Sequence, residues 1–416
     1  MNKLMATYPE LKMLMGDVVV TPDAVATGDV KFAEYNRTIL SIKLFTWALE
    51  GGGKNYGKFT ECQKGGKLSR KSFDEIHSYT IAVIKNDADH NAMITYLIIN
   101  DLGKVKSFVN KTNVKLGLNK VDHDEILYLG LSRFPELSST FSDLDDRYKQ
   151  LILNGLKTKF NVGQFIQSEN LPKNLEPLVN IDQSSFYFYM LHALYDIGGA
   201  LGHKERQGSK IINDTFWNDF KIAEKQLEKV MAGGDINQVY GEFLQAKADI
   251  LNINMQNKEC KAIVKLCNMM RVNDAKTAKE IKHIFNSQQS NIRKTLEKEL
   301  STTGVGVDNG IRLYYAPATL SNAVDYFENN NSENPVKAAL DVVLPAFARI
   351  FSQTRSNIGK VKNHENVTTV MIREIATQAK LNPNELTKNR FVFRKIGSDY
   401  EVKPKITSKY VCNSGF

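Results

Sequence analysis

The sequence has few cysteines and lacks a long apolar run. Its 416 residues include only four cysteines, and none of these are in C-x-x-C spacing: Cys62, Cys260, Cys267 and Cys412. This spacing disfavours a zinc site or a disulfide framework and is typical of thiols in a reducing compartment. No run approaches the roughly 18 apolar residues of a membrane span, so we expect no membrane insertion.

The start of the chain also lacks the basic-then-apolar layout of a secretory signal. We therefore expect a cytoplasmic protein, or one delivered to a host cytosol as a bacterial effector by specialised secretion. Such export signals are not detected by this pattern. Internal repeats and low-complexity tracts are absent as well.

Neither sign of charge dominates the chain strongly. Lysine and arginine number 55 against 46 aspartates and glutamates, which gives a formal net charge of +9. This excess weakly favours anionic ligands such as phosphates. The basic residues are spread along the chain without a long basic arm, which disfavours a dedicated nucleic-acid binder.

Helical periodicity recurs along most of the chain and predicts an all-α protein with a small C-terminal β-hairpin. The hairpin is predicted where Phe391–Arg394 and Tyr400–Val402 flank a Gly-Ser-Asp turn. Residues 311–315 are compatible with a short strand or a buried connector. The predicted helices include 29–49, 336–353 and 367–380, and the glycine-rich stretch 50–57 is interpreted as a flexible surface loop.

These patterns predict four segments along the chain. They are a lead segment at 1–60, a helical core at 61–215, further helices packed on that core at 216–385, and a C-terminal hairpin and tail at 386–416.

The most informative stretch is Asn100-Asp101-Leu102-Gly103-Lys104. An apolar helix ends here in two polar side chains, which a glycine and a lysine follow. The preceding helix is predicted to open with a capping box at Ser72 and Glu75 and to carry His77 on its inward face. A short loop makes the two helices an antiparallel pair, so we expect His77 to approach Asn100 or Asp101.

A second polar centre follows the aromatic run 186–189. His192 and Asp196 are four residues apart and therefore lie on one helix face, as a helical ligand pair must. His192 is also expected to pack among the aromatic residues. Gly198, Gly199 and Gly202 allow close helix packing or a sharp turn that presents His203. Further polar candidates are His123 in a capping-box spacing, Glu136 after a helix end, and Gln164 in a short polar segment.

The 100–104 stretch resembles the His-Asp-Leu/Ile-Gly-Lys signature of the HD superfamily of metal-dependent phosphohydrolases, with Asn100 where that family has its second histidine. The resemblance implies an HD-like helical core and hydrolysis of a nucleotide-like phosphoester. It implies His77, Asp101 and Asp196 as metal ligands and Lys104 as a phosphate contact. Asn100 casts doubt on two metals, whereas one Mg²⁺ or Mn²⁺ tolerates oxygen ligands. The predicted substrate contacts are Asn100, Lys104, His123, Gln164, His192 and His203.

Two other hypotheses remain open. The order of His77, Glu136 and His203 resembles the phosphodiesterase domain of the SidE effector family, which implies metal-free acid–base catalysis. Alternatively, Asn100 marks a catalytically inactive HD-like domain that binds a nucleotide or a protein partner. The expected partner of an active enzyme is a phosphate-containing small molecule or a nucleotide-modified protein.

Overall fold

The computed structural model describes residues 2–16, 32–64, 66–117, 122–305, 309–358 and 367–405. Within these residues the chain is mostly helical, which confirms the predicted fold class. Cys412 and the first residues of the helix predicted from position 29 lie outside them. The α-helices are α1 (Asn2–Thr7), α2 (Glu10–Met13), α3 (Ala33–Glu50), α4 (Gly52–Phe59), α5 (Arg70–Val83), α6 (Asp87–Ile99), α7 (Lys106–Leu116), α8 (His123–Arg133), α9 (Ser139–Ser142), α10 (Asp146–Thr158), α11 (Val162–Ile166), α12 (Gln183–Gly199), α13 (Asp214–Met231), α14 (Ile236–Ile250), α15 (Lys258–Met269), α16 (Ala275–Ser287), α17 (Ser290–Ser301), α18 (Ala316–Asn329), α19 (Pro335–Ile358), α20 (Arg373–Leu381) and α21 (Glu385–Lys388).

Four strands form one mixed sheet in the C-terminal part: β1 (Gly310–Tyr314), β2 (Val367–Met371), β3 (Phe391–Ile396) and β4 (Asp399–Pro404). The strand order is β1-β2-β4-β3. Strands β3 and β4 pair antiparallel with Ile396 opposite Asp399, which confirms the predicted hairpin. Strand β2 corrects the prediction of a helix from 367, because Val367, Thr368 and Val370 are β-branched and pair in parallel with β1.

The chain divides into two compact units. The first comprises residues 1–163 and 177–234, and the second comprises residues 164–176 and 235–416. Helix α3, which was predicted in a lead segment, belongs to the first unit because it packs along α12. Helix α13, which was predicted among the later helices, belongs to the same unit. The second unit contains the sheet and a buried ion pair in which Arg355 Nη2 lies 2.6 Å from Glu299 Oε2.

In the first unit, the absence of a side chain at Gly199 lets α12 approach α3 closely. A Cβ atom at Gly199 would lie 2.0 Å from Ser41 Oγ and 2.7 Å from the carbonyl oxygen of Arg37. A Cβ at Gly202 would lie 2.5 Å from the carbonyl oxygen of Asn36. Both contacts place the C-terminal end of α12 against the first turns of α3. The polar residues at these two helix ends are therefore neighbours.

The glycine-rich stretch 50–57 is not a surface loop. Helix α3 ends at Glu50, and Gly51 adopts the left-handed conformation with φ 63° before α4 begins at Gly52. A Cβ at Gly51 would lie 3.0 Å from the His77 ring, so the turn also makes room for that side chain. Left-handed backbone and close approach explain the glycine at this position.

The start of α5 differs from the predicted capping box. Ser69 caps the helix, and its side chain accepts a hydrogen bond from the backbone N–H of Ser72. Glu75 does not reach back to the helix start. It accepts hydrogen bonds at 2.8 Å from Trp217 Nε1 and at 2.7 Å from Lys221 Nζ. Tertiary partners on α13 therefore replace the local cap.

Gly199→Ala should destabilise the chain by about 3 kcal/mol, because the new methyl group overlaps backbone atoms that cannot move aside. Gly57→Ala is the matched control. Gly57 is exposed inside α4, and a Cβ there meets no atom within 4 Å. This control should be neutral or stabilise by about 0.5 kcal/mol through helix propensity. Thermal melting followed by circular dichroism compares the two variants, and equal melting temperatures would contradict the close packing of α3 and α12.

Candidate functional site

The 100–104 stretch forms the end of α6 and a tight 3₁₀ turn. Helix α6 stops at Ile99, and residues 102–104 make the turn. A Cβ at Gly103 would lie only 2.0 Å from the carbonyl oxygen of His123, so only glycine fits where this turn packs against the start of α8. The turn directs both Asp101 and Lys104 into the first unit, where Asp101 is buried.

Lys104 bridges two carboxyl groups from different parts of the chain. Its Nζ lies 2.6 Å from Asp101 Oδ1 and 3.2 Å from Glu34 Oε2. Arg37 Nη1 lies 3.0 Å from Glu34 Oε1, one helical turn further along α3. We use the term charged cluster for these four residues together with Asp196, whose carboxyl group interacts electrostatically with Asp101, Arg37 and Lys104.

The two carboxyl groups nearest Lys104 have opposite pKa shifts. Burial, followed by the negative charge of Asp101, raises the pKa of Glu34 to about 7. Burial also opposes ionisation of Asp101, but Lys104, a hydrogen bond from Glu34 and Arg37 hold the pKa of Asp101 below its usual range. Asp101 is therefore the partner that ionises more readily, and Glu34, while it is protonated, donates a hydrogen bond to Asp101.

Asp196 is the carboxyl group of the charged cluster that has no direct partner among the residues that the structure describes. Its side chain is partly exposed and makes no hydrogen bond or ion pair within 4.0 Å to the described residues. Burial and the charge of Asp101 raise its pKa to about 6, against the opposing effects of Arg37 and Lys104. A carboxyl group that titrates near neutral pH is suited to donating and accepting protons.

His192 lies one turn before Asp196 on the same face of α12. Its ring stacks on Tyr96 with centroids 3.7 Å apart and an interplanar angle of 15°. This stacking confirms the expected packing among aromatic residues. The residue is 4% exposed, and neither ring nitrogen has a hydrogen-bond partner in the described part of the chain. Burial lowers the pKa of His192 to about 3, so the ring is neutral at physiological pH.

His77 does not approach Asp101 as predicted. Its Nδ1 lies 2.8 Å from the carbonyl oxygen of Ala48, near the C-terminal end of α3. Glu34, which is hydrogen-bonded to Asp101, lies in the first turn of the same helix. At 1.5 Å per residue these two positions are about 20 Å apart. The inward orientation of His77 therefore brings it to the opposite end of α3, and it cannot share a metal ion with Asp101.

The triad of His77, Glu136 and His203 is not assembled either. Glu136 is on the surface with its side chain 59% exposed, and its Oε1 lies 2.6 Å from Lys115 Nζ, which lowers the pKa of Glu136. His203 is buried and follows Gly202 beside Asn36, near the start of α3. His77 is near the end of that helix. The geometry therefore gives no support to metal-free catalysis by these three residues.

The remaining predicted contacts have different locations. His123 is at the edge of the charged cluster, with its Nε2 3.2 Å from Asp124 Oδ1 and its Nδ1 3.5 Å from Asp122 Oδ2. Ligand atoms of these three residues all lie within 4.8 Å of one another, although the side chains are largely exposed and pair with each other. Asn100 is half-buried at the end of α6. Gln164 belongs to the second unit, where its Oε1 accepts a hydrogen bond from Arg312.

The charged cluster does not supply the donors of an HD-type two-metal centre, and among the described residues only Asp122, His123 and Asp124 form a group of three such side chains with ligand atoms within 4.8 Å of one another. Asn100 supplies no imidazole, and His77 is remote. However, three carboxyl groups face only two cations, so one negative charge is in excess when all of them are ionised.

Sequence reasoning identified Asp101, Lys104, Asp196 and His192 but missed Glu34 and Arg37. These two residues are three apart at the start of α3, a largely buried helix. The same spacing is common for ion pairs on exposed helix faces, so it carries no specific signal of an interior site.

One protein family matches residues 16–386, and its description is a family of unknown function, DUF6829. The chain belongs to this family. The match includes every residue of the charged cluster, and it extends through both compact units of the DUF6829 chain. Searches of curated proteins and of solved structures give no match. Among the helices of the described ranges, none has the length and apolar character needed to cross a membrane.

The pH dependence of stability should change in Glu34→Gln. The pKa of Glu34 is about 7 in the folded chain against 4.5 for the free group. The folded state therefore binds the proton more tightly, and the wild type should lose stability as the pH rises from about 5 to about 7. Glutamine can still donate to Asp101 but does not ionise. The melting temperature of the variant, compared with that of the wild type at the same pH, should therefore increase as the pH rises from about 5 to about 7.

Glu136→Gln is the matched control, because the pKa of Glu136 is lowered and the group is ionised throughout that interval. The difference in melting temperature between Glu136→Gln and the wild type should be the same at every pH in this interval. If the difference in melting temperature between Glu34→Gln and the wild type were also independent of pH, Glu34 would already be ionised at pH 5.

Proposed function

We propose that the DUF6829 chain is an HD-like phosphohydrolase or phosphodiesterase, and that the charged cluster is its catalytic centre. The observation that carries this proposal is the meeting of Asp101 and Lys104, from one short motif, with Asp196 from a distant helix in one partly accessible cluster. These are three of the residues that the HD resemblance identifies. The proposed substrate is a nucleotide-like phosphoester, either a small molecule or a nucleotide attached to a protein.

Arg37 and Lys104 are the phosphate-binding groups of this proposal. Both side chains are partly exposed, and Glu34, which contacts both of them, does not neutralise either charge while it is protonated. Guanidinium and ammonium groups bind phosphate oxygens through charge-assisted hydrogen bonds. Asp196 is adjacent and titrates near neutral pH, so it would donate a proton to the leaving oxygen or accept one from water.

A single divalent cation is part of the proposal, and the carboxylates of Asp101 and Asp196 would hold it. When bound, it would polarise the phosphate and lower the pKa of a water molecule. Glu34 would help to orient Asp101 through the hydrogen bond between the two side chains. The proposal includes a cytosolic location, which the cysteine pattern favours.

One observation favours a second candidate function, a catalytically inactive HD-like domain that binds a nucleotide or a protein. The Lys104 ammonium already bridges Asp101 and Glu34, where a metal-dependent enzyme would use its cation. The lysine ammonium group would stabilise the arrangement of the carboxyl groups, but it cannot supply the chemistry of a metal ion. In that case, the partly exposed Arg37 would bind the ligand.

The activity test uses bis(p-nitrophenyl) phosphate, a chromogenic phosphodiester. The wild-type chain with Mn²⁺ should release p-nitrophenol, and EDTA should abolish the release. Asp196→Asn should lower the rate by about 100-fold, because it removes the acid–base group and a metal ligand. Asp74→Asn is the matched control, since Asp74 is an exposed surface residue that pairs with Arg70, and it should leave the rate unchanged.

Turnover that survives both EDTA and Asp196→Asn would overturn the proposed catalytic centre. If no phosphoester is hydrolysed while calorimetry shows saturable nucleotide binding that Arg37→Gln weakens, the inactive binding domain is the correct function. Melting temperatures of all variants check that each loss reflects chemistry and not unfolding.

A further inference from the structure

The second unit contains a buried amine without an ion-pair partner. Lys265 lies in the middle of α15 and is 3% exposed. Its Nζ lies 5.2 Å from the centre of the Tyr240 ring and makes no hydrogen bond or ion pair with the described residues. Lysine is almost never fully buried unless it is paired. Lys247, which is as deeply buried, hydrogen-bonds to Asn273, so the unpaired Lys265 calls for an explanation.

Lys265 lines a partly enclosed cavity within the second unit. Met269, one turn further along α15, lines the same cavity, so this face of the helix is directed towards it. Most of the lining residues are apolar, and they include Phe347 and Phe351 of α19. About 20 Å³ of the cavity is free, which is enough for one water molecule or a group of similar size. The lysine therefore borders a space that a small ligand can occupy.

The two carboxyl groups that line this cavity are engaged with other partners. Glu299 forms a bidentate pair with Arg355, in which Oε1 lies 2.9 Å from Nε and Oε2 lies 2.6 Å from Nη2. Glu169 Oε1 accepts a hydrogen bond at 2.6 Å from the backbone N–H of Tyr315. Neither carboxyl group forms an ion pair with Lys265. In the described part of the chain, no anion therefore stabilises the ammonium form of this lysine.

The environment of Lys265 favours the neutral amine. Burial lowers the pKa of Lys265 to about 7, and the positive charge of Lys261, one turn earlier on α15, acts in the same direction. Arg312, the remaining charged residue of the cavity, is also a cation and cannot stabilise an ammonium group. The amine therefore has a free lone pair in a large fraction of the molecules near neutral pH. Desolvated lysines of this kind act as nucleophiles towards carbonyl compounds.

We propose that Lys265 is a nucleophilic amine that forms an imine with a small uncharged aldehyde bound in this cavity. The small volume and the mostly apolar walls favour a short, uncharged ligand. A neutral imine also adds no charge to a buried site, where an unpaired charge would be costly. The inference does not depend on the proposed function, because all residues that line the cavity belong to the second unit.

The proposed step needs no oxidant, reductant or metal ion. The lone pair of Lys265 Nζ attacks the carbonyl carbon, and a proton moves from nitrogen to the former carbonyl oxygen, which gives a carbinolamine. The hydroxyl group then leaves with the second amine proton as water, and the C=N bond forms. One amine and one aldehyde thus give one imine and one water molecule.

The test treats the full chain with acetaldehyde and sodium cyanoborohydride at pH 7. The reagent reduces the imine to a stable secondary amine, and peptide mass spectrometry measures how fast each lysine is alkylated. Lys265 should react at least about 10-fold faster than exposed lysines, because those are almost entirely protonated at this pH. The rate at Lys265 should level off above about pH 8, whereas the rates at exposed lysines should still rise beyond about pH 9.

Lys258 is the matched control, because it is exposed and lies at the first position of the same helix. Lys265→Met keeps an unbranched side chain against Tyr240 and should lose the fast adduct. Lys258→Met should leave it unchanged. The comparison of Lys265 with Lys258 inside the wild-type chain needs no variant, so it does not depend on the folding of Lys265→Met.

Alkylation of Lys265 at or below the rate of Lys258 would overturn the inference. Equal rates for Lys265 in the native chain and in the chain unfolded by guanidinium would also overturn it, because the fold would then not activate the amine. Benzaldehyde is uncharged but larger than the free space, so it should give no fast adduct at Lys265. A benzaldehyde adduct that forms as fast as the acetaldehyde adduct would contradict binding of a small aldehyde in this cavity.

Discussion

The ammonium group of Lys104 holds together the interior of the first unit, because it joins two carboxyl groups that the chain brings from separate helices. Asp101 comes from the end of α6, and Glu34 comes from the first turn of α3. Removing one partner from such a buried arrangement leaves a charge without compensation, which typically costs several kcal/mol. Arg37 lies one turn after Glu34 on α3, and Asp196 lies on α12, which packs along α3, so both are neighbours of this interaction.

The balance of charges in the cluster indicates that it is a candidate for catalysis and does not only stabilise the fold. Two cations face three carboxyl groups, and burial, followed by the negative charge of Asp101, raises the pKa values of Glu34 and Asp196. A purely structural ion network would be expected to compensate its charges, as the bidentate pair of Arg355 and Glu299 does in the second unit. The two carboxyl groups with raised pKa values in the first unit, together with the unpartnered His192, are what distinguish the cluster as a candidate site.

Sequence patterns predicted those parts of the site that depend on local structure. Asp101 and Lys104 could be predicted because a helix end and a glycine mark them, and Asp196 because it shares a helix face with His192. The inward orientation of His77 was also predictable from periodicity. The end of α3 that His77 contacts was not predictable. Periodicity shows which face of a helix is buried, but it does not show which part of a neighbouring helix that face contacts. Glu34 and Arg37 acquire their role only through the packing of α12 on α3. Strand β2 was missed because its β-branched residues precede a helix and the pairing partner is distant in sequence.

The close contact between Gly199 and α3 has a consequence for the smallest piece of the chain that could retain the site. Because the first turns of α3 supply both Glu34 and Arg37, a fragment that begins at residue 61 would contain the whole motif at 100–104 but not its partners. The loss would not be visible in the motif itself, which would still be intact in sequence. A self-sufficient fragment must begin before Glu34 and extend beyond Gly202, so that both members of the helix pair are present.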